Sequence, residues 1–83
     1  MIYNYVKLLK KDKHMSISYN KLWKLLIDKK MTKTQLREQA DIATSTLAKL
    51  SKDEQVSMDV LLKICSTLDC DISDILEIKK EAK

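Results

Sequence analysis

Apolar residues along this chain recur at the three- and four-residue spacing that places side chains on one face of an α-helix. In residues 19–30 the apolar positions are Tyr19, Leu22, Trp23, Leu26 and Ile27. This pattern predicts a first helix whose apolar face packs inward. Because Trp23 belongs to that face, we expect it in the core or at its edge rather than stacked on nucleic-acid bases.

A second helix is predicted to begin at a capping box. Thr32 and Gln35 have the spacing at which the threonine hydroxyl accepts from the backbone N–H near Gln35 while the glutamine side chain reaches back. The inward residues of this helix are Leu36 and Ala40. Its apolar periodicity stops at residues 41–43, so the helix is expected to be only about two turns long.

A third short helix is predicted over residues 44–50, with Leu47 and Leu50 facing inward. Only about three residues separate it from the second helix, which is the spacing of a helix-turn-helix unit. Residues 51–56, which are polar except for Val56, are expected to form a loop.

Two more helices complete the predicted domain. Ser57 is placed to cap the fourth, whose inward residues are Leu61, Ile64, Cys65 and Leu68. Asp71 is placed to cap the fifth, whose inward residues are Ile72, Ile75 and Leu76.

We therefore predict an all-α fold in which residues 16–78 form one five-helix domain. Residues 1–15 are expected to form an N-terminal extension, and residues 79–83 a short C-terminal tail. The extension is open to three interpretations: a flexible arm that contacts DNA, a dimer contact, or a segment without fixed structure.

Glycine and proline are both absent from the chain. Sheet proteins need many turns with positive φ, which favour glycine, and a phosphate-binding loop needs glycine where the backbone approaches the nucleotide. Other catalytic sets are missing as well: His14 is the single histidine, and Cys65 and Cys70 lack zinc-site spacing. We therefore expect an all-helical protein without enzymatic activity, metal or other cofactor.

The sequence shows neither a secretory signal nor an apolar run of about 18 residues. We therefore expect a cytoplasmic protein that makes no membrane contact. Its cysteines are then expected to be reduced and to act as small buried apolar residues. No pattern points to a small-molecule ligand.

The net charge of +4 is unevenly distributed. Residues 1–30 carry a net charge of +6 and residues 31–52 a net charge of +2, whereas residues 53–83 carry −4. A basic front half and an acidic back half would give the molecule a preferred side toward a polyanion such as DNA. An uneven but merely solubilising surface charge is the competing interpretation.

The segment MTKTQLREQADIATSTLAKL, residues 31–50, resembles the lambda-repressor-like family of helix-turn-helix domains, also called Cro/CI or XRE-type. The resemblance continues through residues 56–57, 61–65 and 68–76 and covers about 60 of the 83 residues. The capping box, the two short helices and the helical pair that follows agree with the family in order and spacing.

This resemblance implies that the third helix enters the major groove of double-stranded DNA while the second lies across the backbone. The base-reading residues would be Lys33, Thr44, Ser45 and Lys49. The residues that contact the DNA backbone would be Thr32, Thr34, Thr46 and Lys52. The implied function is sequence-specific transcriptional regulation, most simply repression.

Two positions depart from the family pattern. Asp41 stands where the turn usually has glycine in a left-handed conformation, which aspartate tolerates at a cost of about 1 kcal/mol. Ala43 stands where the family often has a capping hydroxyl, so the third helix is expected to begin without a side-chain cap.

Two questions stay open at the level of sequence. The protein is expected to act as a homodimer on a palindromic or nearly palindromic operator. Leu62 and Ile78 are candidate dimer contacts, because they lie outside the buried faces of their predicted helices. Scattered exposed apolar residues are the simpler explanation of that pair. An alternative function is a protein-interaction module of the antitoxin or anti-repressor type, with the acidic last third as its binding face.

Overall fold

The computed structural model describes the backbone of residues 14–81 and the side chains of residues 16–79. Four α-helices are framed by two short strands in this part of the chain. In chain order the elements are β1 (His14–Ser18), α1 (Asn20–Asp28), α2 (Lys33–Ala40), α3 (Thr44–Ser51), α4 (Met58–Leu68), a 3-10 turn (Ile72–Asp74) and β2 (Glu77–Glu81). Residues 1–13 of the predicted extension lie outside the described residues.

One apolar core joins all four helices. Its most deeply buried members are Tyr19, Leu22, Leu36, Leu50, Ile64 and Ile75. Each predicted inward residue of α2 and α4 is buried, and in α3 Leu50 is buried while Leu47 is half-buried. The periodicity of these helices therefore predicted their inner faces correctly.

The inner face of α1 is centred differently from the prediction. Leu22 and Leu26 are buried, and Trp23 and Leu25 are half-buried on either side of them. Ile27, predicted to face inward, is 73% exposed. At about 100° per residue, Ile27 lies farther from the buried centre of the helix than Trp23 does, so it emerges on the solvent side.

All four α-helices end in the same way, each followed by a residue in the left-handed conformation. These residues are Lys30, Asp41, Asp53 and Asp69, with φ between 54° and 58°. In each case the next backbone N–H donates to the carbonyl five residues earlier, at 2.9–3.1 Å. This is the Schellman motif, which usually has glycine at the left-handed position. Within residues 14–81, this glycine-free chain forms the motif four times with lysine or aspartate.

The turn between α2 and α3 confirms the conformation expected at Asp41. Its φ of 56° and ψ of 52° lie in the left-handed region, and the Ile42 N–H donates to the Arg37 carbonyl at 3.1 Å. Ala43 is extended and gives no side-chain cap, yet α3 begins at Thr44 as predicted. The helix-turn-helix unit therefore forms despite both departures from the family pattern.

The predicted fifth helix is replaced by one 3-10 turn followed by β2. β2 pairs antiparallel with β1, so that Ile17 lies opposite Ile78 and Ser18 opposite Glu77. The spacing of Ile72, Ile75 and Leu76 suits a single helical turn, and Ile75 is indeed buried. Over residues 76–79 apolar and polar residues alternate, which is the period of a strand.

An all-α description is therefore incomplete, because a two-stranded sheet closes the domain. Both predicted domain borders fall inside this sheet: β1 begins at His14, and β2 runs to Glu81. The pairing of β1 with β2 was not predicted, because the two strands are about sixty residues apart and each is only five residues long. Strands that short gain stability mainly from each other and from the core beneath them.

We predict that Asp41→Gly leaves the melting temperature unchanged or raises it. Glycine removes a left-handed strain of about 1 kcal/mol, and in a domain of this size 1 kcal/mol corresponds to about 4–8 °C. Thermal unfolding followed by circular dichroism measures the change. A clear fall in melting temperature would show that Asp41 stabilises the turn through its side chain.

Asp53→Gly is the matched control, because it relieves the same strain at a residue whose side chain is bonded. The Asp53 carboxylate accepts from the Tyr19 backbone N–H at 3.0 Å. Losing that charged acceptor costs about 1.5–3 kcal/mol, which exceeds the strain relieved. Asp53→Gly is therefore expected to lower the melting temperature.

Candidate nucleic-acid interface

The first residues of α2 form the capping box predicted from the sequence. The Gln35 N–H donates to the Thr32 hydroxyl at 3.0 Å, and the Thr32 N–H donates to the Gln35 side-chain oxygen at 2.8 Å. Within the described residues, the backbone N–H groups of Lys33 and Thr34 have no acceptor. Free N–H groups at the start of a helix can bind an anionic group such as a phosphate.

The exposed side of α3 is the main feature of the candidate interface. Leu50 and Leu47 turn toward the core, and Thr46 is half-buried beside them. Residues three and four apart share a helix face, so the opposite side presents one continuous strip. We call this strip the reading surface; its exposed members are Thr44, Ser45, Ala48, Lys49 and Lys52.

A buried tyrosine anchors the loop that follows α3. Tyr19 is 1% exposed; its N–H donates to the Asp53 carboxylate at 3.0 Å and its hydroxyl to the Glu54 carbonyl at 2.8 Å. Burial raises the pKa of the Tyr19 hydroxyl, and the nearby negative charge of Asp53 raises it further. The hydroxyl therefore stays protonated and remains a donor. Leu50 and Tyr19 together fix the C-terminal end of α3.

Lys49 lies at one border of the reading surface. It lines an open depression together with Ser16, Ile17 and residues 53–55. Asp53 in that depression is bonded to the Tyr19 N–H. None of the salt bridges among the described residues includes Lys49, so its ammonium group has no carboxylate partner there.

Lys33 lies at the other border of the reading surface. Its ammonium group contacts two other residues of the protein, which the sequence did not reveal. Its ammonium nitrogen is 4.1 Å from the centre of the Trp23 ring. The same nitrogen donates to the Ser51 hydroxyl at 3.4 Å. Trp23 is half-buried, as expected for a residue at the edge of the core.

Other lysines of the basic front half lie elsewhere on the surface. Lys21 donates to the Ser73 carbonyl at 3.2 Å, beside the 3-10 turn. Lys24 and Lys29 line a second depression together with the acidic residues Asp28, Asp69 and Asp74. These three lysines therefore lie near the acidic last third of the chain, whereas Lys49 and Lys52 are the cations of the reading surface.

Cys65 and Cys70 lie next to each other at the end of α4, where the Cys70 N–H donates to the Cys65 carbonyl at 3.0 Å. Both are free; Cys65 is buried and Cys70 is half-buried. Burial raises the pKa of Cys65, and burial together with the neighbouring Cys65 raises the pKa of Cys70 to about 11. Across the described part of the chain, no three His, Cys, Asp or Glu residues gather as a metal site would require. No helix in that part is long and apolar enough to cross a membrane.

Ala48 is the member of the reading surface that the sequence did not single out. A small apolar residue between Leu47 and Leu50 looks like part of the core. Its spacing from Thr44 and Lys52 was the available signal, because four-residue steps place all three on one face. A small methyl group there allows a close approach to a flat partner and can contact a thymine methyl.

These elements define a helix-turn-helix domain: a capped α2, a left-handed turn and an outward-facing α3. The model of the Cro/C1-type HTH DNA-binding domain matches residues 21–81. The chain therefore belongs to the Cro/C1-type helix-turn-helix family.

A solved structure of similar sequence has the same fold. The crystal structure of transcriptional regulator VanUg, Form II, is 57% identical, with a TM-score of 0.78. The similarity covers 81% of this chain and 89% of that one. None of the curated proteins is significantly similar to this chain.

We predict that variants of the reading surface keep the fold. Lys52→Ala and Lys49→Ala remove exposed side chains, so the free energy of unfolding should change by less than about 0.5 kcal/mol. Leu50→Ala, on the buried side of the same helix, should cost about 2–5 kcal/mol. Urea unfolding measures both. A loss above 2 kcal/mol in either lysine variant would place that side chain in the core.

Proposed function

We propose that this protein is a sequence-specific transcriptional regulator that binds double-stranded DNA in the cytoplasm, with repression as its simplest action. The outward-facing strip of α3 is the observation that carries the proposal. It is exposed, it follows a formed helix-turn-helix turn, and no acidic side chain lies within it. A repressor of this kind would act by occupying DNA that another protein needs.

The base-reading set that we propose is Thr44, Ser45 and Lys49, together with Ala48. Hydroxyl groups can donate to or accept from several base edges, and a lysine can donate to the guanine acceptors in the major groove. Such a set reads each half-site only modestly. Lys33 borders the same surface, but its ammonium group is bonded within the protein.

The backbone contacts that we propose come from both short helices. Thr32 and Thr34 lie beside the free N–H groups at the start of α2, where a phosphate oxygen would meet the positive end of the helix dipole. Thr46 and Lys52 extend this set along α3 and past its end. Contacts of this kind fix the position of a protein on the duplex and contribute affinity that depends on salt.

We further propose that two copies bind a palindromic or nearly palindromic operator. A modest reading set needs a second half-site to reach useful specificity, and a two-fold dimer places its recognition helices about 34 Å apart. Leu62 and Ile78 are 55% and 61% exposed, so both are available as contacts between copies.

Salt dependence tests the DNA-binding role. We expect the logarithm of the affinity for a duplex selected by this protein from random sequences to fall linearly with the logarithm of salt concentration. Lys49→Ala should weaken binding by about 1–3 kcal/mol if it contacts a base, and Lys52→Ala should reduce the salt slope by about one unit as a phosphate contact. Fluorescence anisotropy with a labelled duplex measures both.

Lys24→Ala is the matched control, because it removes the same charge from an exposed helical position away from α3. It should leave the affinity within twofold. Equal losses in all three variants would mean that net charge alone attracts DNA. Absence of duplex binding at low salt would favour the protein-interaction module.

Stoichiometry tests the dimer. Titration of a duplex with two half-sites should end at two chains per duplex in sedimentation analysis, and a duplex with one half-site should bind much more weakly. Saturation at one chain per duplex, with equal affinity for both duplexes, would contradict the proposal.

A further inference from the structure

We propose that Lys33 is a positioning residue that holds α3 in its reading orientation through Trp23 and Ser51. This inference rests on the proposed DNA-binding function and gives Lys33 a role different from the base contact expected from sequence. Three helices meet at its ammonium group: Trp23 lies in α1, Lys33 begins α2 and Ser51 ends α3.

The geometry at the ammonium group accounts for this role. Its nitrogen lies 4.1 Å from the centre of the indole ring, well within the range of about 6 Å for a cation–π interaction. A hydrogen bond of 3.4 Å to the Ser51 hydroxyl uses one of the three N–H donors. A lysine that is bonded on two sides loses part of its freedom to search for a base edge.

The two contacts act at the open end of the helix pair. α2 and α3 are covalently joined by residues 41–43, where the left-handed Asp41 sets their angle. At the opposite ends, Lys33 of α2 meets Ser51 of α3. A link there resists opening of the angle, and Trp23 ties the link to α1, whose Leu22 and Leu26 belong to the core.

Trp23 also makes the contact observable, because it is the single tryptophan of the chain. The indole emission therefore reports the environment at this one place. The Lys33 ammonium group over the ring should therefore affect the indole emission of the free protein, before any DNA is added.

The test compares Lys33→Met, which keeps the aliphatic stem but removes the charge, with Lys33→Arg, which keeps a cation able to stack on the ring. We expect Lys33→Met to weaken duplex binding by about tenfold and Lys33→Arg to recover most of that loss. Trp23→Leu should weaken binding to a similar degree, and the Lys33→Met/Trp23→Leu double variant should bind no more weakly than either single variant. The salt slope should equal that of the unchanged protein, since no phosphate contact is lost.

A direct DNA contact by Lys33 would give a different result. In Lys33→Met, the salt slope would then fall by about one unit, or the preferred base at one position would change. The loss of affinity in the double variant would equal the sum of the losses in Lys33→Met and Trp23→Leu. Either outcome would overturn the positioning role. Urea unfolding of each variant identifies the conditions in which all are folded, and the affinities are compared there.

A readout without DNA separates this inference from the proposed function. In the free protein, Lys33→Met should change the Trp23 emission and shift the backbone amide resonances of residues 44–52, and Lys33→Arg should restore both. If the unchanged protein binds no duplex but these shifts appear, the positioning contact stands while the DNA-binding function fails. If the α3 resonances do not move, the positioning role is wrong even when DNA binds.

Discussion

The placement of α3 on the body of the protein is the constraint on which the rest of the structure depends. Leu50 is fully buried, and the loop just beyond it is fixed by the two hydrogen bonds of Tyr19. A buried residue on one side of a two-turn helix leaves the other side for solvent or a partner. Because Thr44, Ser45 and Ala48 on that other side are small, α3 can approach a flat, hydrogen-bonding surface closely.

The absence of glycine gives this fold its most unusual local feature. The described part of the chain contains four Schellman motifs with lysine or aspartate at the left-handed position. Each such residue costs about 1 kcal/mol relative to glycine, so the core must offset several kcal/mol of backbone strain. At Asp53 part of that cost is returned, since its carboxylate accepts from the Tyr19 N–H. The strained residue there also anchors the end of α3.

Sequence periodicity predicted the four α-helices of the described residues, and the spacing of Thr32 and Gln35 predicted the capping box, because both depend on neighbouring residues. The left-handed conformation at Asp41 was expected from the family resemblance. The sheet was missed because the pairing of Ile17 with Ile78 joins distant segments, and a single turn at Ile72 fits helix and 3-10 alike. On the exposed side of α3, the exposure of Thr44, Ser45 and Lys49 was expected, whereas Ala48 was missed. The contacts of Lys33 with Trp23 and Ser51 depend on how three helices meet, which no local pattern contains.

The central claim is that the outward strip of α3 is the surface that meets DNA. Nuclear magnetic resonance of the protein, titrated with its selected duplex, tests this most directly through the changes in backbone amide shifts. The account predicts that the largest shift changes fall on residues 32–35 and 44–52. The amide shifts of the acidic segment, residues 69–77, should change very little. Large changes confined to residues 69–77, with α3 unmoved, would contradict it.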